Sequence, residues 1–200
     1  MEPKDIATVR AYHSERISRF GEQSAEALGW KHADAQSERF REIAQIGNLN
    51  RRTLLDVGCG HGDFYGSVKD NYPELVYTGL DQEDTFLKIA VTRYGKDPNT
   101  KFLRGDFQSC FLPTCDYVIC CGGLNYRASE PDNIYQMINK LFDSCRVGLG
   151  LNILKNVDFE DGILMPYSSS KIFEFCRTLT SKIDMKDSQN KNNFTIFVYR

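Results

Sequence analysis

The sequence predicts an α/β fold, a mostly parallel sheet preceded by a helical segment. Three observations carry this expectation. An apolar run, Thr53-Leu54-Leu55-Asp56-Val57, stops at a glycine-rich turn, Gly58-Cys59-Gly60-His61-Gly62, and a helical pattern follows. From Arg51 onward, short apolar runs alternate with helix-length amphipathic stretches, as a parallel sheet with crossover helices requires. Near the C-terminus, two short runs flank the polar cluster Asp187-Ser188-Gln189-Asn190-Lys191-Asn192-Asn193, which marks an antiparallel hairpin.

Residues 1–50 read as a helical cap. Ile6, Val9, Tyr12, Ile17 and Phe20 lie near helical spacing, and Gly21 is the expected stop. Ala25 to Trp30 reads as a connection. A second helix is expected from Ala33 to Ile46, with Phe40, Ile43 and Ile46 on one side. Preceding the glycine turn, these helices would lie across it as a lid or cover a sheet edge.

Residues 51–200 read as the core of the same domain. The first strand is expected at 52–57, and a helix from Asp63 to Tyr72 ends at Pro73. A strand at 76–80 ends at Asp81. A helix from Glu83 to Tyr94 presents Phe86, Leu87, Ala90 and Val91. Strands are expected at 101–104 and 117–120, the latter continuously apolar as for a strand covered on both faces. Pro131 suits the first turn of a helix reaching Cys145. A strand at 147–154, a helix from Ser169 to Leu179, and strands at 182–187 and 194–199 complete seven strands.

Bulk properties narrow the function. The 200 residues carry 25 basic and 27 acidic side chains, a formal net charge of −2. No basic stripe appears, which argues against a nucleic-acid partner. No apolar stretch approaches the ~18 residues of a membrane span, and the polar start Met1-Glu2-Pro3-Lys4-Asp5 lacks an apolar signal core. Seven cysteines, none in a Cys-x-x-Cys pair, read as buried free thiols in a reducing cytoplasm, with no metal site.

A strand that ends in a glycine turn and hands over to a helix is a place to hold a nucleotide, because backbone can approach closely and helix N–H groups stand unpaired. The dinucleotide fingerprint Gly-x-Gly-x-x-Gly fits in neither register, because Asp63 or Tyr65 falls where the third glycine belongs. The glycines lie instead at 58, 60 and 62, with Asp56 just ahead.

This turn resembles motif I of the class I S-adenosylmethionine-dependent methyltransferases. Asp81 matches the acidic residue that holds ribose hydroxyls in that family, and Asp106-Phe107 the pair beside the adenine. Cys115-Asp116-Tyr117-Val118-Ile119-Cys120-Cys121-Gly122 resembles the strand that opens beside the methionine portion. The resemblance spans about residues 51–200 and implies a Rossmann-like seven-stranded sheet with a C-terminal antiparallel hairpin and an N-terminal helical lid. It implies S-adenosyl-L-methionine as cofactor, S-adenosyl-L-homocysteine as product, and methyl transfer to O or N of a small-molecule acceptor. Protein or RNA methylation, an NAD-dependent oxidoreductase and a non-catalytic cofactor-binding module are the alternatives. The cofactor carries a sulfonium and no phosphate, so the acidic setting of Asp56, Asp63 and Asp81 suits it better than a pyrophosphate.

The resemblance thus implies Asp56, Gly58, Cys59, Gly60, Asp81, Gln82, Asp106, Phe107 and Cys121 around the cofactor, with Tyr12 and Arg16 meeting its carboxylate if the first helix is the lid. Trp30, Asn125, Tyr126 and Arg127 are acceptor-side candidates. Gly122-Gly123-Leu124-Asn125-Tyr126-Arg127 lacks the Asn-Pro-Pro-Tyr motif of amino-group methylation on adenine or glutamine. His13 and His61 are the candidate bases for an oxygen acceptor. Otherwise His61 reads as an exposed loop histidine and His13 as part of a solvated helix face. Asp158, Glu160 and Asp161 read as a solvated loop.

Overall fold

The computed structural model describes residues 2–159, 162–188 and 192–200. In chain order the elements are α1 (Pro3–Phe20), α2 (Ala33–Ile43), a 3-10 turn (Ala44–Ile46), β1 (Thr53–Val57), α3 (Asp63–Val68), β2 (Val76–Asp81), α4 (Asp84–Tyr94), β3 (Thr100–Arg104) and β4 (Cys115–Cys121). There follow α5 (Asn133–Asp143), β5 (Cys145–Leu154), α6 (Ser169–Leu179), β6 (Ile183–Asp187) and β7 (Asn193–Tyr199). The expected order of elements is present. Three helices are shorter than expected: α2 stops at Ile43 and gives way to the 3-10 turn, α3 stops at Val68, and α5 yields Cys145 to β5. Gln189, Asn190 and Lys191 of the expected hairpin turn, and Glu160 and Asp161 of the expected solvated loop, lie outside the described residues.

The seven strands form one sheet in the order β3-β2-β1-β4-β5-β7-β6. The first five in that order are parallel, and β7 runs antiparallel to both β5 and β6. Chain order reverses between β1 and β4, so a crevice opens beyond their C-terminal ends. The central strands are apolar on both faces because helices cover both. Ile134, Met137, Ile138, Leu141 and Phe142 of α5 pack on one side, and Phe40, Ile43, Ile46 and Leu49 on the other.

The first helix is packed differently from its apolar pattern. The buried stripe is Asp5, Val9 and His13, while Phe20 is exposed. The two polar members of that stripe are paid for by hydrogen bonds to the loop after β4. Ser129 donates to Asp5 through its backbone N–H at 2.9 Å and its hydroxyl at 2.6 Å. Asp5 also accepts from the Glu2 N–H at 3.2 Å, which closes the helix N-terminus. In α4, Val91 is exposed where it was expected inside, and Ile89 is buried in its place.

The turn after β1 approaches β2 so closely that Gly79 admits no side chain. A Cβ there would lie 2.8 Å from Cys59 Sγ and 2.9 Å from the Phe102 ring. Gly79→Ala is expected to lower stability by about 1–3 kcal/mol through overpacking, measured by urea unfolding; an unchanged midpoint would show that the neighbours yield freely.

Candidate functional site

The site is assembled from β1 upward. Leu54, Leu55 and Val57 are fully buried, which fixes the end of the strand. The chain then turns through three glycines with left-handed backbone, Gly58 (φ 76°), Gly60 (φ 54°) and Gly62 (φ 73°). Side chains rarely adopt such angles, which explains the alternating spacing. Gly58 and Cys59 donate backbone hydrogen bonds to the Leu80 carbonyl at 2.8 and 3.1 Å. Gly60 N–H donates to Asp81 Oδ2 at 2.8 Å, and Glu83 N–H donates to Asp81 Oδ1 at 2.9 Å. One carboxylate therefore ties the glycine turn to the start of the next connection.

A cavity of about 380 Å³ lies above this junction, within the range of small-ligand sites. Its floor includes Asp56, Gly58, Cys59, Gly60 and Asp81. Gln82, Asp106 and Phe107 line one end, and Cys121 and Gly122 line the wall at β4. Gly58 is exposed to this space; a Cβ added to it would meet only Gly123 Cα, at 3.6 Å. Of the expected acceptor-side residues, Trp30, Asn125 and Tyr126 line the cavity and Arg127 does not. Arg127 is exposed, and its Nε–H donates to the Gly162 carbonyl at 3.1 Å. Asn125 is buried and accepts the Leu154 N–H at 3.0 Å, so it also fixes the loop to β5.

Several expectations do not survive. Tyr12 and Arg16 do not line the cavity. The Arg16 guanidinium donates to the Glu26 and Trp30 carbonyls, holding the connection between α1 and α2. His61 is not an exposed loop residue; it is 1% exposed, stacked edge-on to Phe86 at 5.1 Å, and outside the cavity lining. His13 is not on a solvated face; it is buried and lines the cavity. Its Nδ1–H donates to the Ala27 carbonyl at 3.0 Å, which leaves Nε2 to accept the Tyr126 hydroxyl at 2.7 Å. Burial lowers the His13 pKa, so this neutral tautomer is favoured. Asp158 is exposed, as expected of a solvated loop, and pairs with Lys31 at 2.8 Å at the cavity rim.

Sequence reasoning missed the contribution of α2. Gln36, Arg39 and Phe40 line the cavity, and Arg39 lies over the Trp30 ring at 5.0 Å. Their three- and four-residue spacing on one helix was the available signal. The thiols offer no nucleophile. Burial pushes Cys121 up to about 12 and Cys59 well above its ordinary value. All seven cysteines are free.

Asp56 is buried, and its carboxylate accepts the Tyr77 hydroxyl at 2.7 Å. Burial raises its pKa to about 7 despite that bond, with the Asp81 and Asp63 charges adding to the rise.

The chain has measurable likeness to known proteins. A family model described as "Methyltransferase domain" matches residues 54–148. The chain is 31% identical over 87 residues to trans-aconitate 2-methyltransferase of Rhizobium meliloti, covering 42% of this chain and 33% of that protein. It is 36% identical over 107 residues to tRNA U34 carboxymethyltransferase of Tolumonas auensis, covering 52% of this chain and 32% of that protein. The matched regions thus span about a third of those relatives. Among solved structures, magnesium protoporphyrin IX methyltransferase from Synechocystis, with bound S-adenosylhomocysteine, has a TM-score of 0.72 at 13% identity, covering 96% of this chain and 99% of that one. Human N-acetylserotonin methyltransferase has a TM-score of 0.72 at 14% identity, covering 100% of this chain and 60% of that one.

The Asp56 shift has a testable sign. Between its ordinary pKa of 3.8 and about 7, the folded chain keeps a proton that the unfolded chain releases. The associated stability is present below the lower value and lost as pH rises through the higher one. Asp56→Asn keeps an acceptor for Tyr77 and removes the titration. Its stability relative to wild type should rise from pH 4 to pH 7 and level off above, by urea unfolding at each pH; a difference that stays constant would contradict the assignment.

Proposed function

We propose that the chain is a class I S-adenosylmethionine-dependent methyltransferase, a reading that the methyltransferase-domain match and the likeness of fold support, and that it moves a methyl group from S-adenosylmethionine to an oxygen or nitrogen of a small-molecule acceptor. The observation that carries the donor assignment is Asp81. It is half-buried at the end of β2, facing a cavity floored by an open glycine turn. Each of its oxygens already receives one backbone N–H and keeps further lone pairs for a diol. Burial raises its pKa, and the Glu83 and Gly60 N–H bonds oppose that rise by favouring the anion.

The residues suit this cofactor. Asp81 would take the ribose hydroxyls, and Asp106, Phe107 and Gln82 would border the adenine. Asp106 already accepts from the Gln108 N–H at 3.0 Å and the Ser109 hydroxyl at 3.1 Å, so its carboxylate is fixed in place. Gly58, Cys121 and Gly122 would flank the amino-acid portion. When bound, the cofactor supplies a methyl group on a positively charged sulfur, already a good leaving group.

The chain's own part is positioning, exclusion of water and handling of one proton. Trp30 and Leu28 close the cavity from the N-terminal segment, and Tyr126 and Leu164 close it from the loops after β4 and β5. For an oxygen acceptor, neutral His13 is the base within reach. Its orientation is fixed by Ala27, and the Tyr126 hydroxyl bridges it to the cavity. A nitrogen acceptor needs only desolvation there. The formal charge of −2 supports a small acceptor, whereas the likeness to tRNA U34 carboxymethyltransferases supports an RNA acceptor as the second reading.

Two measurements test this. Calorimetric titration should give S-adenosylhomocysteine binding to the wild type, no comparable NAD binding, and roughly tenfold or greater weakening in Asp81→Asn, from loss of a charged acceptor. Preference for NAD, or unchanged affinity in the variant, would overturn the donor assignment. Radiolabelled methyl transfer to fractionated extract should mark the small-molecule pool; label in RNA alone would favour the second reading.

A further inference from the structure

The first helix stands apart from the rest of the fold. Among the described residues, α1 packs extensively against no strand or other helix, and Val9 is its one buried apolar side chain. It nevertheless forms a wall of the cavity through Ile6, Val9, Arg10 and His13. Two polar clasps hold it there. Near its start, Asp5 accepts the Ser129 N–H and hydroxyl. Near its middle, His13 reaches the Tyr126 hydroxyl on the loop after β4. At its end, Gly21 has a positive φ of 82°, and a Cβ built on it would meet nothing within 4 Å. The backbone can turn at that glycine without displacing a neighbour.

His13 fits its place as a neutral ring. It is 7% exposed. Nδ1–H donates to the Ala27 carbonyl, and Nε2 accepts from Tyr126. Phe86 of α4 and Tyr12 of its own helix each meet it edge-on, with ring centroids 5.2 Å away. A second proton, on Nε2, would face the Tyr126 hydroxyl, which would have to turn its own hydrogen elsewhere. It would also leave an imidazolium largely out of water. Burial lowers the His13 pKa from its ordinary 6.5. The Ala27 carbonyl and the Asp81 and Glu83 carboxylates oppose that fall, and Arg16 on the same helix adds to it.

We propose that α1 is an acid-released wall of the cavity, pinned by neutral His13 and pivoting at Gly21. The inference does not depend on which ligand the cavity holds. Once α1 is released, His13 titrates at its ordinary value, so opening takes up a proton. The closed state has its full stability above the ordinary 6.5 and loses it as pH falls toward the lowered value. Asp5 does not share this titration. Burial pushes its carboxyl up, but the Ser129 and Glu2 bonds outweigh burial and hold it below the ordinary 3.8. Asp56 does take up a proton on the way down from about 7, with the opposite sign, because acid favours its folded form.

The test is hydrogen exchange of the ligand-free chain, read by mass spectrometry from pH 7.5 to pH 5.5 and corrected for the intrinsic pH dependence of exchange. Wild type, His13→Gln and Ser129→Ala are compared. In the wild type, the opening constant of peptides within α1 should rise about three- to tenfold over that range, while peptides from β1 and β4 keep their protection. His13→Gln keeps a polar pin that does not titrate, so its α1 opening should not vary with pH. Ser129→Ala should open α1 more at every pH and keep the wild-type slope. A flat wild-type profile would overturn the proposal. So would an unchanged slope in His13→Gln, or loss of protection in α1 and the core together. Should His13→Gln fail to fold, Ser129→Ala decides: a slope lost with Ser129 would assign the titration to the Asp5 clasp and contradict the proposal, and a slope kept would support it.

Discussion

The carboxylate of Asp81 is the constraint on which the site depends. The glycine turn after β1 has no regular hydrogen-bond ladder of its own. It is held against the end of β2 by the Leu80 carbonyl and by the Gly60 N–H bond to Asp81. The same carboxylate receives the Glu83 N–H, and so sets where the chain leaves β2 for α4. Charged hydrogen bonds of this kind are stronger than neutral ones, which suits a junction between two strands that do not share a turn. Everything that faces the cavity from β1 and β2 takes its position from that junction.

Above it, α1 is fastened mainly by polar contacts, with Val9 its one buried apolar side chain. Asp5 holds Ser129, His13 joins Ala27 to Tyr126, and Arg16 fixes the backbone near Trp30. Phe86 lies between His13 and His61, at ring distances of 5.2 and 5.1 Å, and links α1 to the glycine turn. Such an attachment buries less apolar surface than a core helix does. Elements of that kind occupy the low-stability end of a fold, where opening for ligand exchange is cheapest.

The sheet was legible because its signals are local. Apolar strand runs and the glycine spacing each reflect the conformation of a few residues, and the expected strands and glycine turn are in place. The place of Asp81 at the end of β2 was legible too, but not its bonds to the Gly60 and Glu83 N–H groups, which depend on how the turn folds back on β2. What could not be read were long-range pairings. His13 looks solvated on a helical wheel because its partners, Ala27 and Tyr126, lie 14 and 113 residues away. His61 looked exposed because Phe86, which covers it, lies on α4. Arg16 sits near enough in sequence to the right surface, but closer carbonyls claim its guanidinium.

The most direct test is a crystal structure of the protein with S-adenosylhomocysteine. The account predicts both ribose hydroxyls within hydrogen-bond distance of the Asp81 carboxylate, the adenine beside Asp106 and Phe107, and the sulfur facing the part of the cavity lined by His13 and Tyr126. A nucleoside bound away from Asp81, or in the reverse orientation along the cavity, would contradict it.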